Sequence, residues 1–226
     1  MDEANATSSV PSLRKVDARS LRRTLLVLFT LSGVAGLIYQ VVWVRQLTLV
    51  LGASTDAVTI VLTVFMAGLG LGAWLLGKVS DRFDEHQLAR SYVLLEVGIG
   101  VYAMVLPLIL EWAEGSYVAF CRYYAPSPTL MNTLRLVVAF LLLIVPTSLM
   151  GATLPVLSRY IVRRKARIPV DVSWLYGLNT VGALLGAVAA GYLLLPTVGI
   201  AATNMLAVAV DFLVAAAFWG VHRLAP

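Results

Sequence analysis

The chain has 226 residues, of which 60% are hydrophobic and 13% are charged, with a mean hydropathy of +0.87. This composition is far from that of soluble domains and excludes an ordinary water-soluble globular protein. The net charge of +5 comes from basic residues in short clusters between apolar runs. Such clusters are typical of membrane topology signals rather than of a nucleic-acid-binding surface, so we expect no nucleic-acid partner.

The chain begins with a polar stretch, residues 1–20, that is charged and lacks apolar periodicity, which predicts a surface tail. The apolar run after it is too long for a signal-peptide core, so we expect it to remain as the first membrane helix. Its polar and small residues fall on one helical face, which either packs against other helices or lines a substrate path. That face carries Ser32, Gly36, Tyr39, Gln40 and Trp43.

The second helix contains 21 residues without a charge, Ala57–Gly77. At about 1.5 Å per residue this run matches a hydrocarbon core of roughly 30 Å. Residues 54–56, a serine, a threonine and an aspartate, have the composition of a helix start. Gly68 and Gly72 form a GxxxG pair, which predicts close packing against another helix.

The third helix carries Glu96 near its middle. A carboxylate in a membrane span is costly and faces a partner or a wet cavity. Glu96 therefore predicts either a structural ion pair or hydrogen bond, or a site that handles an amine or a proton. The aromatic spacing of the next link, residues 111–131, predicts a short amphipathic helix at the membrane interface.

The fourth helix contains Pro146 and Pro155, with Thr147 and Ser148 between them. A proline inside a span removes a backbone hydrogen bond, and the freed carbonyl needs another donor. This segment is either a kinked packing helix or a broken helix of the kind that marks transporter binding sites.

The last two helices combine small residues with single polar ones. Gly182 and Gly186 predict a packing face on the fifth helix, and Asn179 lies near one end of it. Asp211 lies near the middle of the sixth helix. It either makes a structural hydrogen bond or belongs to a functional site.

The positions of lysine and arginine predict the topology. Fourteen of the 17 lie in the tail, the second and fourth links and the carboxyl end, and the fourth link, 159–167, holds five without an acid. By the positive-inside rule both termini are cytoplasmic, which requires an even number of spans. We predict an all-α integral membrane protein with a tail at 1–20 and one six-helix membrane domain at 21–226, its helices at about 24–51, 57–77, 88–110, 132–158, 174–195 and 200–220.

Six segments match a known family: Ser32-Gly33, Tyr39–Arg45, Phe65–Leu69, Gly77–Arg82, Pro146–Pro155 and Leu175–Gly182. They resemble the amino-terminal membrane domain of the bacterial membrane-bound spermidine synthase-like proteins. The resemblance implies a helical bundle similar to half of a major facilitator transporter, followed in that family by a soluble aminopropyltransferase-like domain. The turn Gly77–Arg82 also resembles the loop between the second and third helices of major facilitator transporters, which implies that Asp81 and Arg82 hold helix ends together on the cytoplasmic side. Gln40 stands where the family is expected to carry a glutamate, which argues against a proton-coupled role at that position.

The resemblance stops at Ala225-Pro226, before the catalytic domain of the family. We therefore expect that this chain is not an enzyme. His86 and His222 lie in separate positions of the sequence, and Cys121 is the one cysteine, so neither a metal site nor a cofactor is expected.

Two functions remain open. The first is a non-catalytic subunit or scaffold in the bacterial cytoplasmic membrane, which packs with other subunits or a second copy or holds a partner protein. The alternative is a transporter-like module that binds or moves a small cationic, polyamine-like solute. The candidate membrane-embedded polar site consists of Tyr39, Gln40, Trp43, Glu96, Thr147, Ser148, Asn179 and Asp211.

Overall fold

The computed structural model describes residues 18–52, 54–124, 127–164 and 172–224. Apart from the short connections between helices, these residues are helical, and they contain no strand. The helices are α1 Ala18–Leu51, α2 Thr55–Val79, α3 Glu85–Tyr124, α4 Pro128–Arg163, α5 Val172–Val188 and α6 Leu195–Leu224, with a 3₁₀ turn at Ser80–Arg82 and a π-helical turn at Ala189–Leu194. Residues 1–17 of the predicted tail, and Lys165 and Arg167 of the basic link, lie outside the described residues.

Within the described ranges, five helical stretches are long and apolar enough to cross a membrane. They are Ser20–Leu51, Thr55–Arg82, Glu85–Tyr124, Pro128–Arg163 and Val172–Leu224. Large apolar side chains such as Leu94, Leu141 and Leu184 lie exposed on the outer surface. Helices that are apolar both inside and outside suit lipid rather than water as a solvent. The all-helical class and the membrane character predicted from the sequence are confirmed.

The helices pack in close pairs, α2 with α4, α1 with α5 and α3 with α6. Glycines bring the first pair into contact, because Gly68 lies over Thr147 and Gly72 lies over Ser148. A Cβ atom on Gly72 would stand 1.8 Å from the Ser148 carbonyl oxygen. Backbones can approach this closely only where one helix has no side chain.

The α1–α5 pair is built in the same way. Cβ atoms on Gly182 and Gly186 would stand 2.2 Å and 2.3 Å from the carbonyl oxygens of Thr30 and Val34. The glycines of α2 therefore lie where the α4 backbone touches α2, and those of α5 lie where the α1 backbone touches α5.

The third helix is longer than the sequence suggests. α3 continues past Pro107 and through the predicted link to Tyr124, so the expected interfacial helix is the last part of α3. Apart from the bond that Pro107 removes, a continuous helix satisfies its backbone groups internally, which an apolar environment favours over a break.

α4 runs without a break through Pro146 and Pro155, so the broken-helix alternative is wrong. Pro146 cannot donate a hydrogen bond to the carbonyl of Leu142, four residues earlier. The hydroxyl of Tyr102, on α3, donates to that oxygen at 2.7 Å. A side chain on a neighbouring helix thus replaces the bond that proline removes.

Replacing Tyr102 by phenylalanine is expected to lower the free energy of unfolding by about 1 kcal/mol, because the Leu142 carbonyl loses its donor. Thermal unfolding in detergent micelles measures the effect. The matched control is Tyr176→Phe, at an exposed position on α5. If both variants unfold at the wild-type temperature, the hydroxyl does not stabilise the proline segment.

The turn between α1 and α2 is fastened to α4. Ser54 caps α2, as the sequence predicts, since its hydroxyl accepts a hydrogen bond from the backbone N–H of Ala57 at 3.2 Å. Arg135 of α4 donates to the carbonyl of Leu51 at 2.7 Å. These contacts hold the end of α1 and the start of α2 in place.

At the opposite end of the bundle, the turn between α2 and α3 is tied to the end of α4. Asp81 forms an ion pair with Arg159, and Arg163 donates to the Asp81 carbonyl at 3.0 Å. Asp81 and Arg159 are both about half exposed, so this pair contributes little to stability. The resemblance assigned Asp81 and Arg82 to this contact. The structure places Asp81 in it and leaves Arg82 exposed.

Candidate functional site: a polar cavity between the helices

A cavity of about 90 Å³ lies where the helices meet. A single water needs roughly 10–15 Å³ of such space, so the cavity can hold several waters or one small molecule. Every helix from α1 to α6 contributes to its wall. The lining residues are Ser32, Gly33, Gly36, Leu37, Tyr39, Phe65, Leu69, Glu96, Ile99, Met150, Thr153, Asn179 and Asp211.

Asp211 is one of two carboxylates in this wall. It lies on α6 and is 2% exposed. Its Oδ2 accepts a hydrogen bond from the hydroxyl of Tyr39 at 2.9 Å. The ring of Tyr39 stacks on Trp43, with 5.1 Å between ring centroids, and this stack orients the hydroxyl toward the carboxylate.

Glu96, on α3, is the second carboxylate and is fully buried. Its Oε1 accepts a hydrogen bond from the hydroxyl of Ser32 at 2.8 Å. Tyr92, one helical turn earlier, lies next to the same carboxylate. Within the described ranges, Oε2 makes no hydrogen bond of ordinary geometry. Glu96 therefore has neighbouring hydroxyl groups on α1 and α3 and no cation beside it among the described residues.

The two carboxylates have no basic partner among the described residues. The ion pairs shown there, Asp81 with Arg159 and Glu85 with Arg164, lie at one end of the bundle. A buried carboxylate without a cation is costly. The cavity is therefore suited to a positively charged ligand or to protons.

Four of the eight predicted polar residues line the cavity: Tyr39, Glu96, Asn179 and Asp211. Asn179 also donates to the carbonyl of Phe29 at 3.0 Å, which ties α5 to α1.

The other four predicted residues lie outside the cavity wall. Trp43 supports Tyr39 from the next turn of α1, and Gln40 is half-buried on that helix. Thr147 and Ser148 lie in the α2–α4 contact, beneath the glycines of α2.

Several lining residues were missed. Ser32 could have been predicted from the sequence, since it shares the polar face of α1 with Tyr39. Thr153 lies in the proline segment but was not selected. The apolar wall residues Phe65, Ile99 and Met150 have no distinguishing signal, because core residues look the same in a sequence.

The structure also corrects the expectation that the two histidines lie apart. His86 Nδ1 and His222 Nε2 are hydrogen-bonded at 3.0 Å, and the hydroxyl of Tyr160 is hydrogen-bonded to His222 Nδ1 at 3.0 Å. The described residues contain no group of three or more histidine, cysteine, aspartate or glutamate residues that could hold a metal ion.

Comparison with known proteins finds similarity to an enzyme class. Polyamine aminopropyltransferase 2 of Streptomyces coelicolor is 30% identical over 183 residues, which are 80% of this chain and 31% of the relative. Polyamine aminopropyltransferase of Leptospira interrogans is 24% identical over 185 residues, 82% of this chain and 32% of the relative. The chain is similar to polyamine aminopropyltransferases. No family model matches it, and no solved structure matches it.

This similarity fits the spermidine synthase-like resemblance seen in the sequence. It also overturns the expectation of a non-enzyme, because both relatives are named as enzymes and the similarity covers at least 80% of this chain. The chain spans about a third of the length of each relative, 31% and 32%.

Proposed function

We propose that this chain is the membrane-embedded helical domain of a polyamine aminopropyltransferase-type enzyme and that its cavity binds a small aliphatic amine cation. The observation that carries the proposal is the pair of buried carboxylates, Glu96 and Asp211, which share one cavity without a basic partner among the described residues. The names of both relatives supply the substrate class. In this role the bundle also holds the soluble part of the enzyme, as a domain or as a partner, at the membrane.

The chemistry of the wall fits an alkylammonium ion. A primary ammonium group has three N–H donors, and the carboxylate oxygens of Glu96 and Asp211, which both line the cavity, can accept from them. Ser32 and Tyr39 hold the carboxylates in place through their hydroxyls. Apolar side chains beside them, such as Ile99, can contact the methylene groups of the ligand.

Binding of putrescine to the purified chain in detergent tests the proposal. Titration calorimetry is expected to show saturable binding of putrescine and of spermidine, and no binding of the anion succinate. Equal heats for putrescine and succinate would overturn the amine site. A ligand that binds the folded state also raises the unfolding temperature, which gives an independent measurement.

The proposal includes six spans with both termini in the cytoplasm of a bacterial cell, as in half of a major facilitator transporter. The stretch Val172–Leu224 has 53 residues. As a helix it would extend about 80 Å, more than twice a hydrocarbon core of roughly 30 Å. Gly199 within it has a φ of 79°, which supports a turn at that point.

Six spans predict opposite labelling of two exposed positions. In a background with Cys121→Ser, Thr197→Cys is expected to react with a membrane-impermeant maleimide from outside intact cells, because residue 197 adjoins the turn at Gly199. Arg90→Cys, at the start of α3, is the matched control and is expected to react only after the membrane is opened. Labelling of both positions from the same side would contradict the six-span topology.

A further inference from the structure

We propose that the cavity is an exchange site, in which an entering ammonium group displaces a proton from Glu96 or Asp211. This inference rests on the proposed amine binding. It adds that the empty site carries protons and that every binding event moves them.

Among the described residues, Glu96 and Asp211 have no cation beside them. Apart from the other carboxylate, the described polar groups beside each carboxylate or in the same cavity wall are uncharged hydroxyls and an amide. These groups are Ser32 and Tyr39 on α1, Tyr92 on α3, Thr153 on α4 and Asn179 on α5. Since no described lysine, arginine or histidine lies among them, the cation that neutralises the site must come from solution.

When no ligand is bound, the carboxyl groups hold protons. Two negative charges on buried side chains in one cavity wall repel each other and are poorly solvated. A proton on a carboxyl removes both penalties. Glu96 is fully buried, Asp211 is 2% exposed and both line the cavity, so this proton takes the place of the missing cation when the site is empty.

The exchange balances in atoms and charge. The carboxyl O–H bond breaks and its proton passes to water, while an N–H group of the ammonium ion donates to the resulting carboxylate. One positive charge leaves as one arrives, so the net charge of the site does not change. Gln40, where the family is expected to carry a glutamate, takes no part, because it lies outside the cavity wall.

Proton release during putrescine binding tests the exchange. Calorimetric titrations at one pH, in buffers with different ionisation enthalpies such as phosphate and Tris, give the number of protons released per bound ligand. We expect release of about one proton for each ammonium group seated at a carboxylate. The full chain of 226 residues, in detergent, is used.

The variants locate the source of the protons. Release is expected to decrease in Glu96→Gln and in Asp211→Asn and to persist in Glu114→Gln, which removes an exposed carboxylate near the end of α3. Unchanged release in both cavity variants would overturn the assignment. Putrescine binding by the wild type with no proton release between pH 6 and pH 8 would overturn the exchange and leave the amine site standing, whereas absence of binding would overturn both.

The wild-type chain provides a second measurement that does not depend on any variant being folded. If one proton leaves for each ligand, the Kd for putrescine falls up to about tenfold for each unit of rising pH. A Kd that is constant over this range contradicts the exchange.

Discussion

Glu96→Gln is expected to weaken putrescine binding by roughly 10- to 100-fold. A hydrogen bond to a charged group contributes about 1.5–3 kcal/mol, and about 1.4 kcal/mol corresponds to a factor of ten in Kd. The glutamine has the same shape, so Ser32 can still donate to its carbonyl oxygen, but the negative charge is gone. Titration calorimetry in detergent measures the Kd.

Asp211→Asn is expected to have a similar effect, because its amide oxygen can still accept the hydrogen bond from Tyr39 while the charge is lost. Glu114→Gln is the control, since its exposed carboxylate lies outside the cavity and its loss should leave the Kd unchanged. The same Kd for all three variants would show that the ligand does not contact the buried carboxylates. Gel filtration confirms that each variant is folded before its affinity is compared.

Gly72→Ala is expected to lower the free energy of unfolding by about 3 kcal/mol. The added Cβ would stand 1.8 Å from the carbonyl oxygen of Ser148, so α2 and α4 must separate over their whole contact. Added atoms in a tightly packed contact typically cost about 1–3 kcal/mol, and here a backbone atom rather than a flexible side chain is in the way. Thermal unfolding in detergent measures this decrease in the free energy of unfolding.

Gly70→Ala is a matched control in the same helix and the same GLGLG segment. Among the described residues, no atom other than those of its chain neighbours and of its own helix backbone lies within 4 Å of a Cβ placed there. Because alanine favours helix over glycine by about 1 kcal/mol, this variant should be as stable as the wild type or more stable. If both alanine variants unfold at the same temperature, the α2–α4 contact does not depend on glycine.

The course of α3 and α4 shows where local patterns were insufficient. Prolines and aromatic residues suggested a break or a separate interfacial helix, yet both helices continue. Proline removes a donor, but the sequence does not show whether another donor will come near. Tyr102 lies 40 residues from Leu142 along the chain, and only the packing of α3 on α4 brings its hydroxyl to that carbonyl.

The candidate site was also only partly predictable from the sequence. Glu96 and Asp211 could be singled out because a carboxylate in a membrane span is costly wherever it lies. The sequence analysis placed both in one candidate polar site, but it could not predict which other residues form the wall around them, because that depends on how the helices pack. The expectation that the chain is not an enzyme was also wrong. It depended on where the resemblance stops, whereas both relatives, which are similar to this chain over most of its length, are named as enzymes.

The sequence by itself determined the helical class, the apolar stretches long enough to cross a membrane, and the small and polar positions on each helix. These properties follow from the solvent and from the 3.6-residue period, which act on neighbouring residues. The tertiary structure alone decided that Tyr39 reaches Asp211, that Ser32 reaches Glu96, and that His86 meets His222. Those contacts depend on how far distant helices approach one another, and glycines such as Gly72 set that approach by letting two backbones touch.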